Sequence, residues 1–246
     1  MSFAVRVLGV GDAFTSLYWN ASLVLEGGGS RVLVDAPPAL ARALATLGDQ
    51  GGAPVGLDDV EHVIVTHLHG DHVGGLEQLL FWRRFVTRRP VTIHAIEPVL
   101  RDLWETRLRG GMEKLLQRTG ETKTLRLEDY ARLAPLGSGA NDVAGFAVEW
   151  RPTIHHIPTA ALRFRRGSGT FGYSADTAFD PGLIEWLAAS DLFFHETNHG
   201  VHTPLASLVT LPDAVKERMR LIHYPDEHDV VFSPIACARE GERYAL

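Results

Sequence analysis

Thr66-His67-Leu68-His69-Gly70-Asp71-His72-Val73-Gly74-Gly75 places three imidazoles and one carboxylate within the six residues from His67 to His72. Before it, Val63-Ile64-Val65 is a short β-branched run that reads as an inner strand. After it, the apolar spacing of Leu76, Leu79, Leu80, Trp82 and Phe85 reads as a helix. The stretch is therefore a strand-to-helix loop. His67 and His69, two residues apart at a strand end, point to one side, whereas Asp71 and His72 enter the first helical turn. Two diverging ligand pairs predict two metal positions. Neutral imidazole and carboxylate suit Zn²⁺, with Mn²⁺ and Fe²⁺ as alternatives, and two such ions about 3.5–4 Å apart clamp both oxygens of a displacement. Gly74-Gly75 lets the following helix pack close to the site. The competing reading is a His-rich loop exposed to solvent.

HxHxDH followed by Gly-Gly resembles the signature of the metallo-β-lactamase superfamily of binuclear hydrolases. The opening, Leu8-Gly9-Val10-Gly11-Asp12-Ala13-Phe14, then Trp19-Asn20-Ala21-Ser22, then Arg31-Val32-Leu33-Val34-Asp35, resembles the ribonuclease Z branch. Asn20, Ser22 and Asp35 match that branch, while Pro37-Pro38 stand where it usually places Cys-Gly. The resemblance extends from residue 1 to about residue 225. It implies an α/β fold, a four-layer αββα sandwich of two sheets with outer helices, expected as a single domain over residues 1–246. Asp35 either orients a ligating histidine from behind or caps the turn before proline.

Further along, Gly145 to Trp150 alternates as a strand and leads to His155-His156-Ile157-Pro158. The two histidines leave a strand on opposite faces, so one of them binds. By resemblance to the family pattern, His-x-Ile-Pro followed by an aliphatic-Arg-Phe strand, the ligand is His155. Ser174-Ala175-Asp176-Thr177 resembles the superfamily's bridging aspartate element, so Asp176 is expected to neutralise two cations at once; its competing role is a helix N-cap. His223, in the last apolar strand, is the expected final ligand. His195-Glu196-Thr197 ends a buried strand and resembles the His-Glu-Ala/Ser-Thr element of ribonuclease Z. That resemblance makes His195 the acid for the leaving oxygen, with Glu196 as its orienter. His199 and His202 follow in a loop and read as surface histidines within reach of the site mouth.

Composition narrows the function. The 246 residues are 45% hydrophobic and 22% charged, enough for a full core. A net charge of −6 gives no general attraction for nucleic acid. The basic run Arg83 to Arg89 reads as a solvated helix end, with phosphate attraction as its alternative. Cys237 stands alone, which excludes an intramolecular disulfide and fits a reducing compartment. The first residues alternate as a strand and lack the apolar core of a signal peptide, and no run approaches a membrane span, so a cytoplasmic protein without membrane partners is expected. Gly9-Val10-Gly11 is too short for a dinucleotide loop.

The expected protein is a binuclear metal-dependent hydrolase. His67, His69 and His155 hold one divalent ion, Asp71, His72 and His223 hold the other, and Asp176 bridges. A hydroxide held between the ions attacks while His195 protonates the leaving group. The expected substrate is a small or single-stranded phosphodiester, such as a cyclic nucleotide or short RNA. The basic Gly- and Pro-rich arm with which ribonuclease Z grips transfer RNA is not visible, and the Ser-x-Arg-Tyr tail after the last ligand is replaced by Tyr224-Pro225-Asp226. The alternatives are a lactone, ester or thioester hydrolase and a non-catalytic metal-binding sensor. A homodimer is expected by resemblance.

Overall fold

The structure is a computed structural model that describes residues 2–49 and 54–246. Its strands, in chain order, are β1 (Phe3–Gly9), β2 (Ser22–Gly27), β3 (Ser30–Val34), β4 (His62–Ile64) and β5 (Val91–Ala95). Then come β6 (Lys114–Leu116), β7 (Thr122–Thr124), β8 (Ala131–Pro135), β9 (Asn141–Val143) and β10 (Phe146–Pro152). The last are β11 (Ala160–Arg166), β12 (Gly169–Tyr173), β13 (Leu192–Glu196), β14 (Met219–Ile222) and β15 (Arg243–Ala245). A seven-stranded sheet runs β15-β1-β2-β3-β4-β5-β8, and a six-stranded sheet runs β14-β13-β12-β11-β10-β9. Their apolar faces share one buried cluster, into which Leu23, Val34, Ile64, Phe164 and Phe194 are packed. Helices Leu40–Asp49 and Glu97–Leu103 lie against the first sheet, and Pro181–Leu187 and Asp213–Lys216 against the second. This is the αββα arrangement of the α/β class expected from the sequence.

The first three strands pair antiparallel, and Gly28 and Gly29 at φ 58° and 81° close the tight turn between β2 and β3. Beyond β3 the pairing becomes parallel through β4, β5 and β8. The second sheet changes likewise, from antiparallel pairs between β9 and β12 to parallel pairs of β12, β13 and β14. Parallel strands end on one edge, and open sheets bind ligands at the carboxyl ends of such strands. Both parallel regions direct those ends towards the loop after β4.

Gly74 and Gly75 explain how the following helix, Leu76–Trp82, comes so close to that loop. A Cβ on Gly74 would lie 2.6 Å from the Gly70 carbonyl oxygen and 2.8 Å from Pro38 Cγ, and one on Gly75 would run into the Pro37 carbonyl and lie 2.8 Å from Leu40 Cβ. Gly75→Ala is expected to destabilise the fold by about 1–3 kcal/mol, the range for overpacking a rigid backbone contact. A denaturant titration with an unchanged midpoint would contradict this close approach.

Several expectations are refined. The helical run with the apolar spacing of Leu100, Leu103, Trp104 and Leu108 continues through Gly110-Gly111 to Met112, and Lys114 to Thr124 form a β6–β7 hairpin whose turn carries Gly120 at φ 85°. Met219 opens β14, and the helix before it ends at Lys216. The loop expected over residues 48–56 includes residues 50–53, which lie outside the described residues. The basic run is split: Arg83 is buried and donates to the carbonyls of Arg89 and Asp58 at 2.9 Å and Arg84 lies over the Tyr130 ring, while Arg88 and Arg89 are exposed. His62 and His94 stack across β4 and β5 with ring centroids 5.3 Å apart. Buried Cys237 contacts His228 at 3.3 Å, and burial raises its thiol pKa, the condition of a structural cysteine. No helix among the described residues is long and apolar enough to cross a membrane.

Candidate metal centre

Every candidate ligand leaves a strand end on the same edge. His67, His69, Asp71 and His72 follow β4, His155 lies in the β10–β11 connection, Asp176 follows β12 and His223 follows β14. Three backbone positions there adopt left-handed φ without being glycine: Asp35 at 61°, Ala175 at 50° and His223 at 54°. Each such residue costs about 1–2 kcal/mol. They turn the chain at the ends of β3, β12 and β14 and so aim Asp35, Asp176 and His223 at the site, strain of the kind that gathers at functional sites.

One group comprises His67, His69, His155 and Asp176. His69 Nδ1 lies 3.2 Å from His67 Nε2 and 3.1 Å from His155 Nε2. One ring nitrogen cannot satisfy two others by hydrogen bonding in this way. The spacings instead approach the edge of about 3.3 Å expected for a tetrahedron of Zn–N bonds of about 2.0–2.1 Å. Burial holds all three imidazoles below their ordinary pKa, His155 to about 4, so their lone pairs are available to a cation.

The second group comprises Asp71, His72 and His223. Asp71 Oδ2 lies 3.1 Å from His72 Nε2 and 3.4 Å from His223 Nε2. Burial opposes charge here, yet Asp176 and Asp71, joined by Asp35 at His72 and by Glu196 at His223, hold both imidazoles well above the ordinary range. Burial likewise opposes charge on Asp71 and Asp176, but the adjacent histidines hold both carboxyls well below theirs. Asp176 stands between the groups: Oδ2 is 3.6 Å from His67 Nε2, 3.8 Å from His155 Nε2 and 3.6 Å from His223 Nε2, while Oδ1 is 3.3 Å from His72 Nε2. His72 Nε2 and Asp176 Oδ1 are buried without a hydrogen-bond partner. Converging buried imidazole nitrogens and carboxylate oxygens left without hydrogen-bond partners are lone pairs that a pair of divalent cations would satisfy, so the residues fit such ions.

Asp35 is the common brace. Its Oδ1 accepts from the Thr66 amide at 2.8 Å, its Oδ2 from the Thr66 hydroxyl at 2.8 Å and from His72 Nδ1 at 2.9 Å. Thr66 Oγ1 is also 3.0 Å from His67 Nδ1. A carboxylate only accepts, so the proton order runs from His67 Nδ1–H to Thr66 Oγ1–H to Asp35, with His72 Nδ1–H arriving from the other side. Both Nε2 atoms are thereby turned towards the centre, one in each group. Asp35→Asn breaks this order and is expected to weaken metal affinity at both positions by about 10–100-fold, the usual effect of an outer-shell carboxylate. A competition titration with a chromophoric chelator reads it; unchanged affinity at both positions would contradict the brace.

Of the two adjacent histidines, His155 joins the metal group. The segment from Thr153 to Pro158 is a bend rather than a strand, so strict alternation does not apply, and exposed His156 also lines the site cavity. That cavity, about 380 Å³, is walled by Phe14, His69, Asp71, Asp176, Asn198 and His202 among others.

His195 is not among the residues lining it. Glu196 faces the site: its carboxylate accepts from the Thr177 amide and from His202 Nδ1 at 2.8 Å and lies 3.5 Å from His223 Nδ1. Neighbouring residues of a strand face opposite ways, so His195 turns to the other side of β13. It is fully buried there, its Nδ1 donating to the Glu196 carbonyl at 2.7 Å, and burial lowers its pKa. The imidazole that sequence reasoning undervalued is His202. Burial alone would lower its pKa, but Glu196 raises it, and a ring nitrogen of His202 lies within 4.8 Å of ligand atoms of Asp176 and His223. Period-two alternation along Phe193-Phe194-His195-Glu196 carried the clue that Glu196 and His195 cannot both face the site.

Fold and site together define a protein of the metallo-β-lactamase fold. Structures of the metallo-β-lactamase fold protein YhfI from Bacillus subtilis (TM-score 0.75, 19% identity, covering 99% of each chain) and of human tRNase Z, short form (TM-score 0.69, 18% identity, 98% of each), share its fold. Residues 3–234 match the family described as Anti-Pycsar protein Apyc1, and the chain belongs to that family. It is 32% identical to the Anti-Pycsar protein Apyc1 of Paenibacillus sp. (strain J14), over 92% of this chain and 91% of the relative.

Proposed function

We propose that the chain is a binuclear metal-dependent phosphodiesterase acting on small or single-stranded phosphodiesters, with cyclic nucleotides as the favoured class. The observation that carries this reading is the His202–Glu196 pair on a cavity whose floor is the paired ligand set. His67, His69 and His155 would hold one cation, Asp71, His72 and His223 the other, and Asp176 both. When bound, two divalent ions supply Lewis acidity to the phosphoryl oxygens and lower the pKa of a water to about 7. Zn²⁺ suits the imidazole-rich set.

The chain's own groups handle the departing oxygen. Glu196 accepts the proton of His202 Nδ1, which fixes the ring and favours its charged form. Nε2 is then the remaining proton-carrying atom, and it is the one we assign to the leaving alkoxide. His202 replaces His195 in that role. Small substrates are supported by a cavity of about 380 Å³, within the range of ligand sites, and by the net charge of −6, which repels a long polyanion.

Metal-loaded protein should be assayed against 3′,5′-cyclic nucleotides, a short single-stranded RNA, a transfer RNA precursor, simple lactones and thioesters. Opening of a cyclic nucleotide is the expected result. Turnover confined to lactones or thioesters would replace the phosphodiester reading with carboxylic ester hydrolysis.

A further inference from the structure

We infer that Phe14 is a preorganised stacking platform for the base of a nucleotide substrate, an assignment that rests on the phosphodiester reading and names the part of the substrate recognised at the cavity lip. Phe14 is 92% exposed yet lines the cavity that holds Asp71, Asp176 and His223. Leaving such a ring in water forgoes about 1.5–3 kcal/mol of burial. A flexible loop would have let it fold back onto the protein.

This loop is held. The Phe14 amide donates to Asp12 Oδ1 at 2.9 Å, and Asp12 Oδ2 accepts at 3.0 Å from Nδ2 of Asn198, which lines the same cavity. Asp226 grips the next two residues, accepting from Thr15 Oγ1 at 2.5 Å and from the Ser16 amide and hydroxyl at 2.8 Å. Thr15 Oγ1 in turn accepts from the Tyr18 amide at 3.1 Å. Asp226 belongs to the segment that stands in place of the Ser-x-Arg-Tyr tail. That segment therefore fixes the aromatic loop.

The positions follow from one cavity. A phosphate directed at the floor carboxylates and imidazoles leaves its sugar and base pointing to the lip, whose exposed aromatic side chains are Phe14 and His156. A phenyl face offers no hydrogen bond, so it favours a flat π-system without choosing among bases. Stacking of a base on an aromatic side chain contributes about 1–3 kcal/mol.

The test compares 3′,5′-cyclic AMP with the methyl riboside 3′,5′-cyclic phosphate, which keeps the diester and lacks the base. Phe14→Ala is expected to raise KM for cyclic AMP by about 5- to 150-fold, leave kcat close to wild type and leave the base-free substrate unaffected, with Phe14→Tyr restoring KM. An equal loss on both substrates overturns the platform while the phosphodiester reading stands. If wild type opens neither diester, that reading fails first, and Phe14→Trp decides the inference by fluorescence. Emission that responds to 5′-AMP but not to ribose 5-phosphate upholds it; the same response to both, or none to either, overturns it.

Discussion

His202→Ala lowers kcat by about 10²- to 10⁴-fold, the contribution of a positioned general acid, while the protein keeps its full metal complement. The loss depends on the leaving group. An alkoxide expelled from a cyclic nucleotide needs a proton, whereas p-nitrophenolate from bis-p-nitrophenyl phosphate does not, so the variant loses far less turnover on the second substrate. A merely structural role for His202 would reduce both rates alike. His195→Gln is the control: His195 is buried with Nδ1 bound to a backbone carbonyl, so its loss lowers stability by about 1–3 kcal/mol and leaves kcat near wild type. The reverse pattern, a catalytic collapse for His195→Gln and a silent His202→Ala, would return the acid to His195.

Asp176→Ala is the most damaging single change expected at the metal centre. Its two oxygens face His67, His155 and His223 on one side and His72 on the other, all within 3.8 Å. Removing them strips a shared ligand from both positions, so metal content falls from two ions per chain towards one or none. Loss of the metal contribution of several kcal/mol lowers turnover by about 10³-fold or more. The variant also leaves His72 and His223 buried without the carboxylate that holds up their pKa. Breaking a buried charge pair costs about 3–5 kcal/mol, which a thermal melt of the metal-free proteins reports. Two tightly bound ions in Asp176→Ala would contradict the bridging assignment.

Much of this candidate centre is legible in the sequence because four of its proposed ligands are local. His67 to His72 lie on one loop after an obvious β-branched strand, and spacing alone separates them into two pairs. His155, Asp176 and His223 each follow a strand elsewhere in the chain and could be placed only through resemblance to a family pattern. His202 was harder: its partner is Glu196, six residues away across a loop, and only the facing of β13 shows which imidazole reaches the site. Asp35 was readable as either an orienter or a cap; parallel pairing of β3 with β4 brings it beside Thr66 and settles its contacts. In the fold, the Val-rich strands β1 to β5 were visible from alternation and turns. β6, β7 and β15 were not, because each is three residues long and its side chains are largely exposed; the pairing that makes them strands is tertiary.

The central claim is that two cations at this site enable the chain to open a small phosphodiester. Metal-free protein titrated with Zn²⁺ or Mn²⁺, with bound metal per chain and hydrolysis of a 3′,5′-cyclic nucleotide followed together, tests it most directly. The account predicts two equivalents bound and turnover that rises with the second. Two equivalents bound with every cyclic nucleotide left intact would contradict it.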